Sequence, residues 1–362
     1  MAEARISAYP SLVSAHRPPR LLGCYVLPGG VSDPRPVVEQ AACAEAAGLG
    51  TAWIGERYDT KDLPSLAGAL TQTTTAVRIG AAITHTQLRH PMVLASMGQT
   101  LQALSNGRFL LGFGRSAAWR WRDYGEPMPT LASLGDVAQI LHRLWAGETV
   151  DYEGPAGRFP RLRLPQRPDV DPPPVLLAAV GPKTLALAGE RFDGVILHPF
   201  LTSEAVAASV QAVRTAAAKA GRDVSRVRCY ATVVVAPDRS SDENETAVNA
   251  RGAGYFHVAG LGDALVAANG WDASELDRYR SHPLLISLGD RQADKALSRA
   301  ELIEVSRNLP DHWLPSSSAT GTAAHCATRL TEYLDAGADE LILHGTTAEH
   351  LGPLVEAFTS LP

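Results

Sequence analysis

Cysteine is scarce and scattered. Cys24, Cys43, Cys229 and Cys326 are the only four in 362 residues, with no CxxC and no close pairing. That spacing excludes a disulfide framework and a thiolate zinc site, and it fits a reducing cytoplasm. Apolar runs are short, none reaching the roughly 18 residues that a membrane span needs. Residues 1–20 end in His16-Arg17-Pro18-Pro19-Arg20 and lack the apolar stretch of a signal peptide, so they read as a surface arm. The net charge of −5 is modest, and no Lys/Arg run exists, which excludes nucleic acid and anionic membrane as partners. No GxGxxG follows the first candidate strand, and no GxSxG occurs anywhere. His85 and His90 stand five apart with no second carboxylate between them, the wrong spacing for a zinc pair, so no metal is expected.

What is present is alternation. From residue 21 onward, short β-branched or apolar runs alternate with longer Ala/Leu-rich stretches, the pattern of a parallel sheet covered by helices. Strands are expected at 21–27, 51–56, 77–84, 108–113, 174–179, 193–197, 227–236 and 339–344. Helices are expected at 34–48, 90–104, 130–146, 202–220 and 322–336. An Ala-Gly pair precedes three of the strands (Ala47-Gly48, Ala188-Gly189, Ala336-Gly337), where a left-handed glycine would end a helix. Eight strands favour a closed (β/α)8 TIM barrel over an open sheet, with one domain over 21–362. Two stretches break the repeat. Residues 148–173 read as an irregular excursion, and 238–320 as an insertion after strand 7. Removing that insertion and the arm leaves roughly 260 residues, close to one barrel of about 250. A segment after a strand lies on the catalytic face, where it can act as a lid, with Tyr255, Phe256, Trp271 and Trp313 lining a substrate pocket.

In a barrel, chemistry comes from the C-terminal ends of strands. Those ends carry Tyr25, Glu56-Arg57, Thr84-His85, Gly114-Arg115-Ser116, Gly181-Pro182-Lys183-Thr184, His198 and His344. The set is cationic and His-rich around one carboxylate, which suits an anionic cofactor. Gly181-Pro182-Lys183-Thr184 opens a helix whose amides can hold a phosphate, or it is only a helix start with Pro in its first turn. Glu56-Arg57 is either an ion pair or a carboxylate facing a cofactor with Arg57 facing substrate. His85 reads as a substrate-facing acid/base group or as a structural histidine, and the same choice holds for His198 and His344.

The run Arg78-Ile79-Gly80-Ala81-Ala82-Ile83-Thr84, then His90-Pro91, then Leu104-Ser105-Asn106-Gly107-Arg108-Phe109-Leu110-Leu111-Gly112-Phe113-Gly114 resembles the luciferase-like monooxygenase superfamily. Leu177–Pro182, Gly321-Thr322 and Ala336–Asp339 follow in the same order. Through Trp53–Arg57 and Ala178–Pro182 the chain is most similar to the branch that uses a deazaflavin, coenzyme F420. The resemblance implies a luciferase-like barrel and hydride transfer between coenzyme F420 and a small organic substrate. It also implies that Glu56 contacts the deazaflavin and that a non-prolyl cis peptide at Ala82-Ile83 backs its ring. Val180-Gly181-Pro182 would hold its phosphate, with Thr84, Gly114, Ser116 and Lys183 completing the cofactor set and His85 and Arg57 serving catalysis. The sugar-phosphate dehydrogenases of this branch carry a His where Arg57 sits and a Glu near Ala117, so that substrate is not expected. Arg115 resembles an arginine that binds the FMN phosphate in flavin-dependent members, which keeps an FMN-dependent monooxygenase as the alternative. A homodimer is left open.

Overall fold

The computed structural model describes residues 17–361 except 290 and 292. Most of the expected arm therefore lies outside the described residues. Its end is tied down, with Arg17 paired to Asp335 at 2.9 Å and a short 3-10 turn at Pro19–Leu21.

Each of the eight expected strands forms, within three residues at either end. They are β1 (Leu22–Tyr25), β2 (Thr51–Ile54), β3 (Arg78–Ala81), β4 (Phe109–Phe113), β7 (Val175–Ala179), β8 (Gly194–Leu197), β9 (Arg228–Pro237) and β11 (Glu340–His344). All neighbours are parallel, and the β8–β9 pairing closes the sheet into a barrel. The near-continuous apolar runs follow from this. A parallel strand is covered on both faces, and Phe109 to Phe113 are buried at every position.

Three strands are additional. β5 (Val150–Gly154) and β6 (Gly157–Leu162) form an antiparallel hairpin in the stretch expected to be irregular. Tyr152 stacks on Phe159 at 5.9 Å, the aromatic pair that a Pro/Gly-rich composition concealed. β10 (Ser318–Gly321) is a short parallel strand beside the far end of β9. Tyr230 and Ala231 pair with both β8 and β11, so these flank opposite edges of β9. Val234 pairs with both Ser318 and His344, which places β10 on the β8 edge, beyond where β8 stops. β9 therefore rises past the barrel rim.

The helices start on defined caps. Asp62, Thr130, Thr202 and Thr322 each accept a backbone N–H three residues on, which satisfies a helix-start donor. Gly48 and Gly337 take the expected left-handed turn, at φ 73° and 101°. Gly189 does not. It lies inside the helix Pro182–Arg191, and a Cβ there would stand 2.2 Å from the Val213 carbonyl. Its smallness lets that helix press against Ser203–Lys219.

Arg108 of the Ser-Asn-Gly-Arg-Phe run precedes β4 and donates to the carbonyls of Ser105, Thr74 and Val77. That motif thus ties the bottom of the barrel, opposite the strand ends that carry function. Between β9 and β10 the chain is mostly helical, and its Phe256, Trp271 and Trp313 pack on one another, with the two indoles stacked at 4.8 Å. Phe256 and Trp313 are fully buried. These aromatics hold the helices together, and only Tyr255 of the four expected to line a pocket does so.

Inside the barrel, Trp53, Leu110, Leu176, Ile196, Tyr230 and Ile342 form one packed layer. Gly80 makes room for it, because a Cβ there would lie 2.2 Å from the Trp53 ring. Gly80→Ala is expected to cost about 1–3 kcal/mol through overpacking, read as a lower urea midpoint at unchanged slope.

Candidate active site

The C-terminal ends of the strands open into one cavity of about 1530 Å³. Its floor is the top of the interior layer, where Tyr25, Ala82, Ile83, Ala178 and Ile196 meet. The Ala82–Ile83 peptide is cis. The Tyr25 hydroxyl donates to the Ala82 carbonyl at 2.9 Å, fixing that peptide to the end of β1. The helical segment after β9 supplies a wall through Arg251, Tyr255 and Arg299, and its Lys295 pairs with Asp59 across the mouth.

Of the residues singled out from sequence, Arg57, His85, Arg115, Ser116, Val180 and Gly181 line the cavity together with Glu56, Ala82 and Ile83. Thr84, Gly114, Pro182 and Lys183 do not. Thr84 is fully buried, with its hydroxyl donating to Glu56 at 3.0 Å. Gly114 lies beneath two side chains: a Cβ on it would stand 2.9 Å from Ile83 and 3.1 Å from Ala178. Its glycine thus serves packing below the floor rather than the approach of a ring. Pro182 and Lys183 sit exposed on the first turn of their helix, away from the lining. Gly181 is different, because nothing lies within 4 Å of its would-be Cβ and its φ is an ordinary −77°. Neither packing nor backbone conformation accounts for glycine there.

Glu56 is the residue whose surroundings differ most from expectation. Its side chain is 0 % exposed, and both oxygens are engaged by the protein. Oε1 accepts from the Leu63 amide at 3.0 Å; Oε2 accepts from Thr84 and, at 2.6 Å, from Arg89. Burial pushes this carboxyl above the usual range, against the lowering pull of the Leu63 amide and Arg89. The carboxylate therefore ties the loops after β2 and β3 together. Arg89 also donates to the Tyr58 hydroxyl at 2.9 Å and to Asp62 at 3.0 Å. Sequence reading missed Arg89, since nothing in the chain order shows that it reaches back 33 positions.

Among the described residues three histidines reach the cavity, and burial favours the neutral form of each. Burial, with Arg120 and Arg89 adding to it, brings His85 down to about 3. Burial brings His198 down to about 4 although it contacts the Pro199 carbonyl. Burial and then Arg251 hold His344 well below the ordinary 6.5. The buried Nδ1 atoms of His85 and His344 have no hydrogen-bond partner among the described residues. Lys61 is also buried, donates to the Leu27 carbonyl and is brought down to about 8 by burial and Arg57. The sequence does not single it out, because it lies well into the loop beyond β2. Among the described residues the lining carries seven cationic side chains (Arg57, Lys61, Arg115, Arg120, Arg251, Lys295, Arg299) and two carboxylates, Glu56 and Asp59, both ion-paired. A lining with this excess of positive charge attracts anions.

Residues 19–340 match the family described as luciferase-like monooxygenase. The chain belongs to that family. Among curated relatives, this luciferase-like chain is 28% identical over 316 residues to the 5,10-methylenetetrahydromethanopterin reductase of Methanolobus tindarius, covering 86% of this chain and 90% of the relative. It is 26% identical over 335 residues to the F420-dependent glucose-6-phosphate dehydrogenase of Amycolatopsis mediterranei, covering 86% and 89%. The solved coenzyme F420-dependent tetrahydromethanopterin reductase of Methanopyrus kandleri superposes with a TM-score of 0.72 at 21% identity, over 93% of this chain and 96% of that one. That likeness establishes the luciferase-like barrel fold.

Arg89→Met leaves Glu56 buried without its cation and should cost about 3–5 kcal/mol, measured by denaturant unfolding; adding Glu56→Gln should recover part of that loss. The histidines are neutral when folded and take up protons near 6.5 when unfolded, so the folded state binds fewer protons below that pH. Their stability contribution is complete above 6.5 and is lost as pH falls toward 4. The urea midpoint should drop between pH 7 and pH 5, with a shallower drop in His85→Gln.

Proposed function

We propose that the protein is a coenzyme F420-dependent oxidoreductase that exchanges a hydride between the deazaflavin and a small organic substrate. The observation that carries this reading is a cavity at the C-terminal strand ends with an apolar floor and a cationic lining, in a family whose curated relatives include enzymes named for coenzyme F420. The residues present fit the group. Ala82, Ile83 and Ala178 offer an apolar surface for a ring. Gly181 offers open backbone at the start of the ten-residue helix Pro182–Arg191, whose first amides and dipole favour a phosphate. Arg115, Arg120 and Ser116, after β4, and Thr184 add charge and hydroxyls on the same side of the mouth.

When bound, the deazaflavin supplies a ring carbon that gives or takes a hydride. The protein's own part is to bind, orient and exclude water. Tyr25 holds the floor peptide in place through its hydroxyl. His85, kept neutral between Tyr58 and Trp121, serves the substrate as a hydrogen-bonding group rather than as a strong base. Arg57, half-buried near the start of the loop after β2, faces the same space. The segment after β9 acts as a lid whose wall gives the pocket its selectivity.

An FMN-dependent monooxygenase is the second reading, favoured by Arg115, which is exposed and lines the cavity beside Ser116. Parallel titration of purified apoprotein with coenzyme F420 and with FMN separates the two. Micromolar binding of coenzyme F420 is expected, and binding of FMN alone overturns the reading. Gly181→Val should weaken coenzyme F420 by tenfold or more, about 1.4 kcal/mol, with the melting temperature unchanged. Equal affinity would remove Gly181 from the cofactor site.

A further inference from the structure

His85 meets the cavity just beyond β3, and aromatic neighbours set the plane of its ring. Trp121 stands edge-on to it at 5.1 Å, and Tyr58 lies tilted against it at 5.6 Å. Both neighbours are themselves held. Arg89 donates to the Tyr58 hydroxyl and lies over its ring at 5.1 Å, while the Trp121 indole donates to the Arg115 carbonyl at 2.6 Å. The imidazole is only 3 % exposed yet lines the cavity, and its Nδ1 is buried with no partner among the described residues. Nε2 is therefore the ring nitrogen left to meet a ligand.

A neutral imidazole carries one proton, on one nitrogen or the other. On Nδ1 it would make a buried N–H without an acceptor, the rarer kind of orphan in folded proteins. On Nε2 it has the cavity to donate into, and Nδ1 keeps a bare lone pair. The surroundings favour the same ligand chemistry. Two more N–H groups of the lining lack partners among the described residues, Trp119 Nε1 and Arg120 Nε, with the Arg120 guanidinium 5.2 Å from the Trp119 ring. Both groups can only donate. The nearby carboxylate, Glu56, has both oxygens taken up by Leu63, Thr84 and Arg89. A ligand oxygen that only accepts fits this side, whereas an ammonium would set donor against donor.

We propose that His85 is a neutral Nε2–H donor to a carbonyl oxygen of the substrate, so that the pocket takes carbonyl compounds in preference to amines. The hydrogen bond fixes the orientation of the carbonyl and polarises it, and no proton leaves the ring. That the carbonyl belongs to a substrate rests on the oxidoreductase reading; the tautomer and the carbonyl contact do not.

Long-range 1H–15N NMR of the full chain, labelled at histidine nitrogen and assigned with His85→Gln, reads the tautomer directly. Nε2 should carry the proton and Nδ1 should be bare, with no change from pH 8 to pH 5, because burial, then Arg120 and Arg89, bring the ring down to about 3. The groups facing it are Tyr58 from the loop after β2, Arg89 from the loop after β3, and Arg120 and Trp121 from the helix Ala118–Tyr124. Cyclohexanone is then added, with cyclohexylamine as a control of similar shape, in the presence and absence of coenzyme F420. The ketone should shift the Nε2 signal to saturation, and the amine should leave it in place. Ligand-observed NMR follows affinity in the variants. His85→Gln, whose amide nitrogen falls near the position of Nε2, should hold the ketone within about threefold, while His85→Asn and His85→Leu should weaken it about tenfold or more. A proton on Nδ1, given to the Trp121 or Tyr58 ring face, would overturn the proposal. So would no response to the ketone, an equal response to the amine, or a loss in His85→Gln as large as in His85→Leu. Ketone contact at His85 without any coenzyme F420 binding would sink the oxidoreductase reading and leave the donor standing; cofactor binding without ketone contact would do the reverse.

Discussion

The arrangement of the mouth depends on one buried ion pair. Glu56 ends the run out of β2, Thr84 ends the run out of β3, and Arg89 stands just before the helix Pro91–Leu104. Their shared network gathers two strand ends, the start of the helix Leu63–Thr73 and the Tyr58 ring into one rigid corner. Desolvating two charges is expensive, so a pair of this kind persists only with near-complete hydrogen bonding, which the Leu63 amide and the Thr84 hydroxyl provide. The corner fixes where His85 points and where the loop carrying Arg57 and Lys61 begins. A carboxylate that looks from the sequence like a ligand for a cofactor thus organises the residues that face the cavity.

That corner also explains the electrostatics of the cavity. With Glu56 paired to Arg89 and Asp59 to Lys295, the described lining carries more cations than carboxylates. Burial and nearby cations act in the same direction on His85 and His344, and burial alone lowers His198, so the neutral imidazole is favoured in each. A neutral imidazole beside fixed guanidinium groups can donate or accept without changing charge. The site therefore offers polar contacts to a ligand while leaving the net attraction to Arg and Lys.

The barrel was legible because its signal is periodic. Eight apolar runs separated by helical stretches leave few architectures, and burial on both faces made each run conspicuous. β10 escaped notice because Ser318-Ala319-Thr320-Gly321 is short and small, and owes its pairing to the length of β9. The hairpin at 150–162 was masked by prolines and glycines that mark its turn. At the site, strand ends were readable because a barrel places them at one rim. Which way a side chain turns there was not. Thr84 and Gly114 sit at strand ends but face inward, toward Glu56 and toward Ile83, and Lys183 faces solvent. Arg89, Lys61 and Arg251 became visible only through contacts between distant segments.

The extension of β9 beyond the rim has a consequence for how this scaffold can diversify. The segment it launches leaves at Asp238 and returns through β10, and the two ends touch. The Asp238 amide donates to the Gly321 carbonyl at 2.7 Å, and the Asp238 side chain accepts from the Ala323 amide at 3.0 Å. A segment clamped at a single hinge point can be lengthened, shortened or exchanged at small loop-closure cost, because the barrel senses only its two adjoining ends. The strand pair is in effect a socket. Whatever is plugged into it redraws the outer wall of the pocket while the floor, the histidines and the Glu56 corner stay as they are.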